Sequence, residues 1–251
     1  MNHSAPSQHT IGDTVLTMPV RIRTAEQHMA MFSVDADAAQ RMIDYSGLSV
    51  YRHRPNRTVV VLMLMHYIDG DLGPYLEYGT NVMVNRPGTR LSGLRSMGSA
   101  GAFVHHLPVD GEFTMSAGRQ IWGYPKILAD FTIRSADDAR GVRGHQFGFD
   151  VNIEGRFAVG MDFTPGLGVP SAFAGKPRVQ STFSCLDGVL RETEGRMQSS
   201  GVRYRTGGAR VRLGDHPYAE ELAALGLPKR ALLSSSARNV QMTFADAKEI
   251  S

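Results

Sequence analysis

Cysteine is nearly missing: Cys185 is the only one in 251 residues. A lone thiol cannot close an internal disulfide or build a thiolate zinc site, so a reducing compartment is permitted. Long apolar runs are missing too. No stretch approaches the roughly 18 residues of a spanning helix, and the polar N-terminus lacks the apolar core of a secretory signal. The expected location is therefore the cytoplasm, with no membrane partner. Excess charge of one sign is also lacking: 27 Lys and Arg against 24 Asp and Glu leave +3. No basic run could track a phosphate backbone, which argues against a nucleic-acid partner. Nor is there a Ser/Gly linker, an internal repeat or a low-complexity tract beyond the first dozen residues. This predicts a loose tail over residues 1–14 and a single domain over 15–251. Lysine is scarce as well: Lys126, Lys176, Lys229 and Lys248 are the only four, so each can be weighed individually.

What is present is the composition of an ordinary folded domain, 42% hydrophobic and 20% charged, with enough length to bury a sizeable core. A short strand from Met29 leads to Asp35 as a helix cap and a short helix ending near Gly47. The run from Val59 to Met65 is β-branched and apolar throughout, the pattern of a strand buried on both faces. Tyr75 to Val84 and the segment after Gly101 read as further strands. Helical spacing runs from Thr114 to Ile121, with Gly123 and Pro125 ending it. ILADFTIRS, GHQFGFDVNIE and RFAVGMDFTP then read as an antiparallel meander, followed by a strand at ARVRLG, a helix at HPYAEELAALG and a last strand near Asn239 to Ala245. Strands outnumber helices, which predicts a mainly β protein.

Lys126 stands in Trp122-Gly-Tyr-Pro-Lys-Ile-Leu, between aromatic and aliphatic neighbours at the exit from a helix into a strand. Burial disfavours the ammonium form of a lysine, and a neutral amine attacks carbonyl carbon. The competing reading lays the stem over apolar surface with its charge in water. Glu77 lies in Tyr75-Leu76-Glu77-Tyr78, on the face of Tyr75 and Gly79 by strand alternation. A desolvated acid there could shuttle a proton, whereas on an edge strand it would be an ordinary surface glutamate. His105 and His106 are adjacent, so on a regular strand they face opposite sides and cannot share a metal. His66 reads as a core histidine with its hydrogen bonds satisfied, and no metal is expected. Arg203, Arg205, Arg210 and Arg212 alternate as a solvated face would.

The segment Gly118-Arg-Gln-Ile-Trp-Gly-Tyr-Pro-Lys resembles the active-site segment of the acetoacetate decarboxylase family, whose Schiff-base lysine follows Tyr-Pro or Phe-Pro. Gly73-Pro-Tyr-Leu-Glu-Tyr-Gly is similar to that family's glutamate-bearing strand, and Leu233-Ser-Ser-Ser with the closing strand is also similar. The resemblance runs from about Thr17 to Lys248. It implies an antiparallel, cone-like β-barrel with a few short helices, a homo-oligomer, Lys126 and Glu77 as catalytic residues, and no cofactor. Arg119, Gln120, Trp122, Tyr124 and Ser33 are then the candidate substrate contacts, although a structural ion pair competes for Arg119.

Two positions depart from the family pattern. Ile127 stands where the decarboxylases usually carry a second lysine, and Ser33 where an arginine meets the substrate carboxylate. A serine cannot hold a carboxylate as a guanidinium does. The expected function is a Schiff-base lyase that decarboxylates a β-keto acid. The alternatives are an aldolase, dehydratase or hydratase on a keto acid through the same lysine, or a barrel that binds a small molecule without chemistry.

Overall fold

In a computed structural model of the chain, residues 6–135, 147–168 and 177–250 are described. Lys176, the start of the tail and residues 144–146 of the meander lie outside them. The chain runs through β1 (Gln8–Ile11), β2 (Thr14–Thr17), β3 (Val20–Asp35), α1 (Ala36–Ile43), β4 (Arg57–Gly70), β5 (Tyr75–Val84) and β6 (Gly101–Val109). It continues through α2 (Glu112–Trp122), β7 (Lys126–Leu128), β8 (Asp130–Ser135), β9 (Phe147–Ile153), β10 (Arg156–Phe163) and β11 (Leu167–Gly168). The last third holds β12 (Arg178–Leu186), β13 (Val189–Ser200), β14 (Arg203–Arg205), β15 (Ala209–Leu213), α3 (Pro217–Ala224) and β16 (Leu233–Glu249).

Seven strands close a barrel in the order β3-β4-β5-β6-β12-β13-β16, with β16 returning to pair β3. The protein is mainly β, as expected. Its barrel is antiparallel except at one joint, where β6 pairs β12 in parallel through Thr182↔Ala102 and Phe183↔Phe103. That joint exists because a long excursion separates the two strands in sequence, and a hairpin cannot join parallel neighbours. The excursion supplies β8, β9 and β10, the expected meander, and β15 from later in the chain joins them in a second sheet ordered β15-β10-β9-β8.

From Thr58 to Met65 both faces of β4 are covered for that reason. Val60, Leu62 and Leu64 pack outward with Ala30, Phe32 and Val34 of β3 against Phe149, Val151, Met161 and Phe163 of the small sheet. The alternate residues Met63 and Met65 face the barrel interior. A strand so covered has no solvent face, and its sequence carries no polar alternation.

Part of the expected tail is ordered: β1 pairs β2 from Gln8↔Thr17 to Ile11↔Thr14, and the Met18 amide donates to Ser7. Ile11 and Leu16 are buried in this hairpin, and its few apolar side chains suffice because they cap a larger apolar cluster with Met18, Val20 and Trp122. Asp35 caps α1 as read, its carboxylate accepting from the amides of Asp37 and Ala38. His66 is exposed on β4 near Glu26, not in the core, because it falls where β4 extends beyond the small sheet.

Candidate functional site

The local sequence places Lys126 tightly. α2 ends at Trp122, and Gly123 takes φ +62 while its amide returns to the Arg119 carbonyl. A left-handed residue at this position reverses the chain, and glycine adopts it without strain. β7 then begins at Lys126, which lies opposite Leu107 in a parallel pairing with β6. Its side chain runs back under α2 past Gly118. A Cβ at Gly118 would lie 2.5 Å from Lys126 Cδ and 2.6 Å from Cε, so the passage exists only because residue 118 is glycine. The neighbouring Ile127 points the other way, into the core beneath the small sheet. A lysine at 127 would therefore not enter the interior with Lys126.

Inside the barrel Lys126 is 2% exposed, and its Nζ lies 2.8 Å from Glu77 Oε2. Glu77 is 6% exposed and receives a second hydrogen bond at Oε1 from the Tyr67 hydroxyl at 2.9 Å. The Tyr75 ring lies 4.9 Å from Nζ, stacked on Tyr67 with centroids 4.2 Å apart. Burial pushes the Tyr67 and Tyr75 phenols well above their ordinary range, and the Glu77 charge adds to it. Both stay protonated at neutral pH, so Tyr67 is a fixed donor to Glu77. Thr114 Oγ1 sits 3.5 Å from Nζ. A buried ion pair of this kind is worth little net stability, yet removing one partner strands a charge in a dry interior. Held this way, the amine and the carboxylate can exchange one proton without solvent.

The pair opens into a cavity of about 110 Å³. Its walls are mainly Met63, Met65, Leu107, Met197, Met242 and Phe244. Gln27, Asn81, Gln180 and Thr182 supply neutral polar groups. Among the described lining residues Glu77 and Lys126 are the only charged ones. An apolar wall with a few placed polar groups suits a small organic ligand.

Of the residues singled out in the sequence, the fold brings together Lys126, Glu77, Trp122 and Tyr124. Tyr124 hydrogen-bonds Thr182 Oγ1 at 2.8 Å, and burial pushes its phenol up to about 12. Trp122 Nε1 donates to the Ala245 carbonyl at 2.8 Å. The other three are elsewhere. Arg119 is on the exposed side of α2 and donates to the Lys126 carbonyl at 3.2 Å, so it braces the lysine's backbone without reaching the cavity. Gln120, next on the same face, is exposed. Ser33 lies near the far end of β3 beside His53, 3.4 Å from Nε2, because β3 continues well past the cavity.

Tyr67 escaped the sequence reading. The signal was there: it shares the strand face of Met63 and Met65, and the GDLGP turn sets it opposite Tyr75. Two further expectations change. In the arginine cluster Arg203, Arg205 and Arg210 are exposed as expected, with Arg203 and Arg205 donating to the Gly166 and Pro165 carbonyls, whereas Arg212 joins Arg134 in an ion network with Asp150 and Asp162. His105 and His106 do not diverge but both approach Glu221, owing to a bulge in β6.

The profile of the acetoacetate decarboxylase family matches residues 5–248. No curated protein matches the chain. Among solved structures, an acetoacetate decarboxylase superposes with TM-score 0.62 at 19% identity, covering 92% of this chain and 89% of that one. The acetoacetate decarboxylase of Legionella pneumophila gives TM-score 0.63 at 17% identity, with 93% and 87% covered. The enduracididine biosynthesis enzyme MppR, complexed with the condensation product of pyruvate and imidazole 4-carboxaldehyde, gives TM-score 0.63 at 18% identity, with 93% and 90% covered.

Proposed function

Since the chain belongs to the acetoacetate decarboxylase family, we propose that it forms a Schiff base between Lys126 and a keto acid, and that the preferred reaction is decarboxylation of a β-keto acid. The observation that carries this reading is the Lys126–Glu77 contact of 2.8 Å inside a cavity otherwise free of charge among its described lining residues.

Besides the two residues, the steps need only water and one proton taken up from solvent. Lys126 passes a proton to Glu77, and its free amine adds to the ketone carbon. Proton return from Glu77 lets water leave, giving an iminium. The bond to the carboxylate then breaks, carbon dioxide departs, and the electron pair moves through the new C=C to nitrogen. Glu77, reprotonated from water that enters the cavity, then protonates the enamine carbon, and hydrolysis by water releases the ketone and restores the lysine. The apolar wall favours departure of carbon dioxide, because it solvates a neutral product better than the carboxylate that precedes it.

A second reading keeps the iminium and changes the bond: aldol addition, dehydration or hydration of a keto acid. It is favoured by the cavity's lack of a guanidinium among the described residues, where Ser33 stands outside the site. The condensation product held by MppR points in the same direction. Screening keto acids with borohydride, mapping the modified lysine by mass, and following carbon dioxide against aldehyde or water exchange separates the two. Trapping on Lys126 with carbon dioxide release is expected. Absence of trapping with every keto acid would leave a binding protein.

A further inference from the structure

β6 should present neighbouring side chains to opposite faces, yet His105 and His106 meet. The pairing of β5 with β6 passes from Thr80↔His106 to Asn81↔Val104, which leaves His105 as an extra, unpaired residue. Such a bulge re-aims one side chain. The rings lie 4.0 Å apart, and both Nε2 atoms reach one oxygen of Glu221 on α3, at 2.9 Å from His105 and 2.5 Å from His106. We propose that His105, His106 and Glu221 form a binding site for a divalent transition-metal ion of the zinc class, separate from the Lys126 cavity.

Four observations support it. One donor atom from each residue can be chosen so that all lie within 4.8 Å of one another. Both histidines are buried while Glu221 is 42% exposed on its side chain, so the convergent atoms open to solvent on one side. The Tyr45 hydroxyl sits 2.9 Å from His105 Nδ1, and the Tyr218 ring stacks on His106 at 3.4 Å. A ligating histidine characteristically has its other ring nitrogen engaged, as His105 does through Tyr45, which holds its ring and tautomer, while the Tyr218 stack fixes only the ring plane of His106. Finally, two imidazole nitrogens and one carboxylate oxygen suit zinc and its neighbours, whereas magnesium and calcium prefer oxygen throughout. With metal–ligand bonds of about 2.0–2.2 Å a tetrahedral ion holds its donors about 3.3 Å apart, so the Glu221 carboxylate need swing outward by less than about 1 Å.

An ion here would pin α3 to the strand whose Val104 and Leu107 line the cavity, Leu107 lying opposite Lys126. Its expected role is to clamp that wall, not to act on substrate.

The test strips the full chain with EDTA and titrates it with Zn²⁺ and, separately, Co²⁺. One zinc per chain, a melting temperature that rises with zinc concentration, and a visible cobalt band of a nitrogen- and oxygen-ligated ion are expected. His106→Gln and Glu221→Gln should each weaken zinc binding at least tenfold while folding in EDTA. Failure of the wild type to retain zinc through desalting, or retention unchanged in both variants, would overturn the proposal. If a variant does not fold, the wild-type cobalt spectrum decides: a band with only water-like octahedral character counts against the site.

Discussion

Replacing Lys126 by arginine keeps a cation beside Glu77 but removes the only group among the cavity's described lining residues that can form an imine. Lys126→Arg is expected to leave less than about one per cent of wild-type turnover and no borohydride-trapped adduct. Lys229 and Lys248 should be dispensable in the same assays. Glu77→Gln keeps the shape and loses the transferable proton, so turnover should fall by about 10²–10⁴ while trapping on Lys126 persists. If trapping and turnover fall together, Glu77 shapes the pocket or binds substrate instead. Tyr67→Phe removes one hydrogen bond to a buried carboxylate, an effect of about 1–3 kcal/mol, and the expected loss in kcat is roughly 5- to 150-fold, accompanied by a lower melting temperature. An unaltered kcat would show that the Tyr67 bond to Glu77 is not used in the reaction. Lys126 and Glu77 were legible in the sequence because short motifs surround them, whereas Tyr67 depends on a pairing partner across a hairpin.

At the level of elements, the turn that launches Lys126 is the sensitive joint. Gly123→Ala would force an L-residue into φ +62, at a cost of about 1–2 kcal/mol, and press its Cβ to within 2.5 Å of Arg191 Nη1. The arginine can move aside, so the backbone strain should dominate. A drop in melting temperature of roughly 2–8 °C is expected for a domain of this size, together with reduced turnover as Lys126 is re-aimed. Thermal denaturation and initial rates check both, and an unchanged melting temperature would refute the strain. α1, α2 and α3 were legible because caps and stop residues are local. β12 and β13 were not: β13 reads VLRETEGRMQSS, and its alternation is blurred by a register shift between Thr193 and Gly195. Bulges of the same kind defeated the reading of His105 and His106, since alternation holds only where the ladder is regular.

For the molecule as a whole, the contact between barrel and small sheet carries a pH dependence. His28 of β3 stacks on Phe147 of β9 at 3.6 Å and bonds Ser236 of β16. Burial lowers its pKa to about 4, and the Arg238 and His66 charges add to the effect. The folded protein thus keeps His28 neutral at pH values where an unfolded chain, with an ordinary value of about 6.5, protonates it. Between those values the unfolded state binds more protons, so stability is full above about pH 6.5 and declines on acidification toward pH 4. At pH 5 the loss should be about 1–2 kcal/mol, and His28→Gln should flatten that part of a urea-denaturation profile measured from pH 7 to 5. A variant whose stability falls as steeply as the wild type's would exclude His28 as the source. The sequence by itself determined the mainly β class, the double burial of β4, the helix that ends at Gly123 and the lysine that follows it, because each is written within a turn or two of chain. Only the tertiary structure decided which residues share the cavity: it brought in Gln27, Asn81, Gln180 and Met242 and left Ser33, Arg119 and Gln120 outside. Alternation tells which side chains share a strand face, but the face that turns inward and the strand that lies opposite follow from barrel closure and register, which arise between segments distant in the chain.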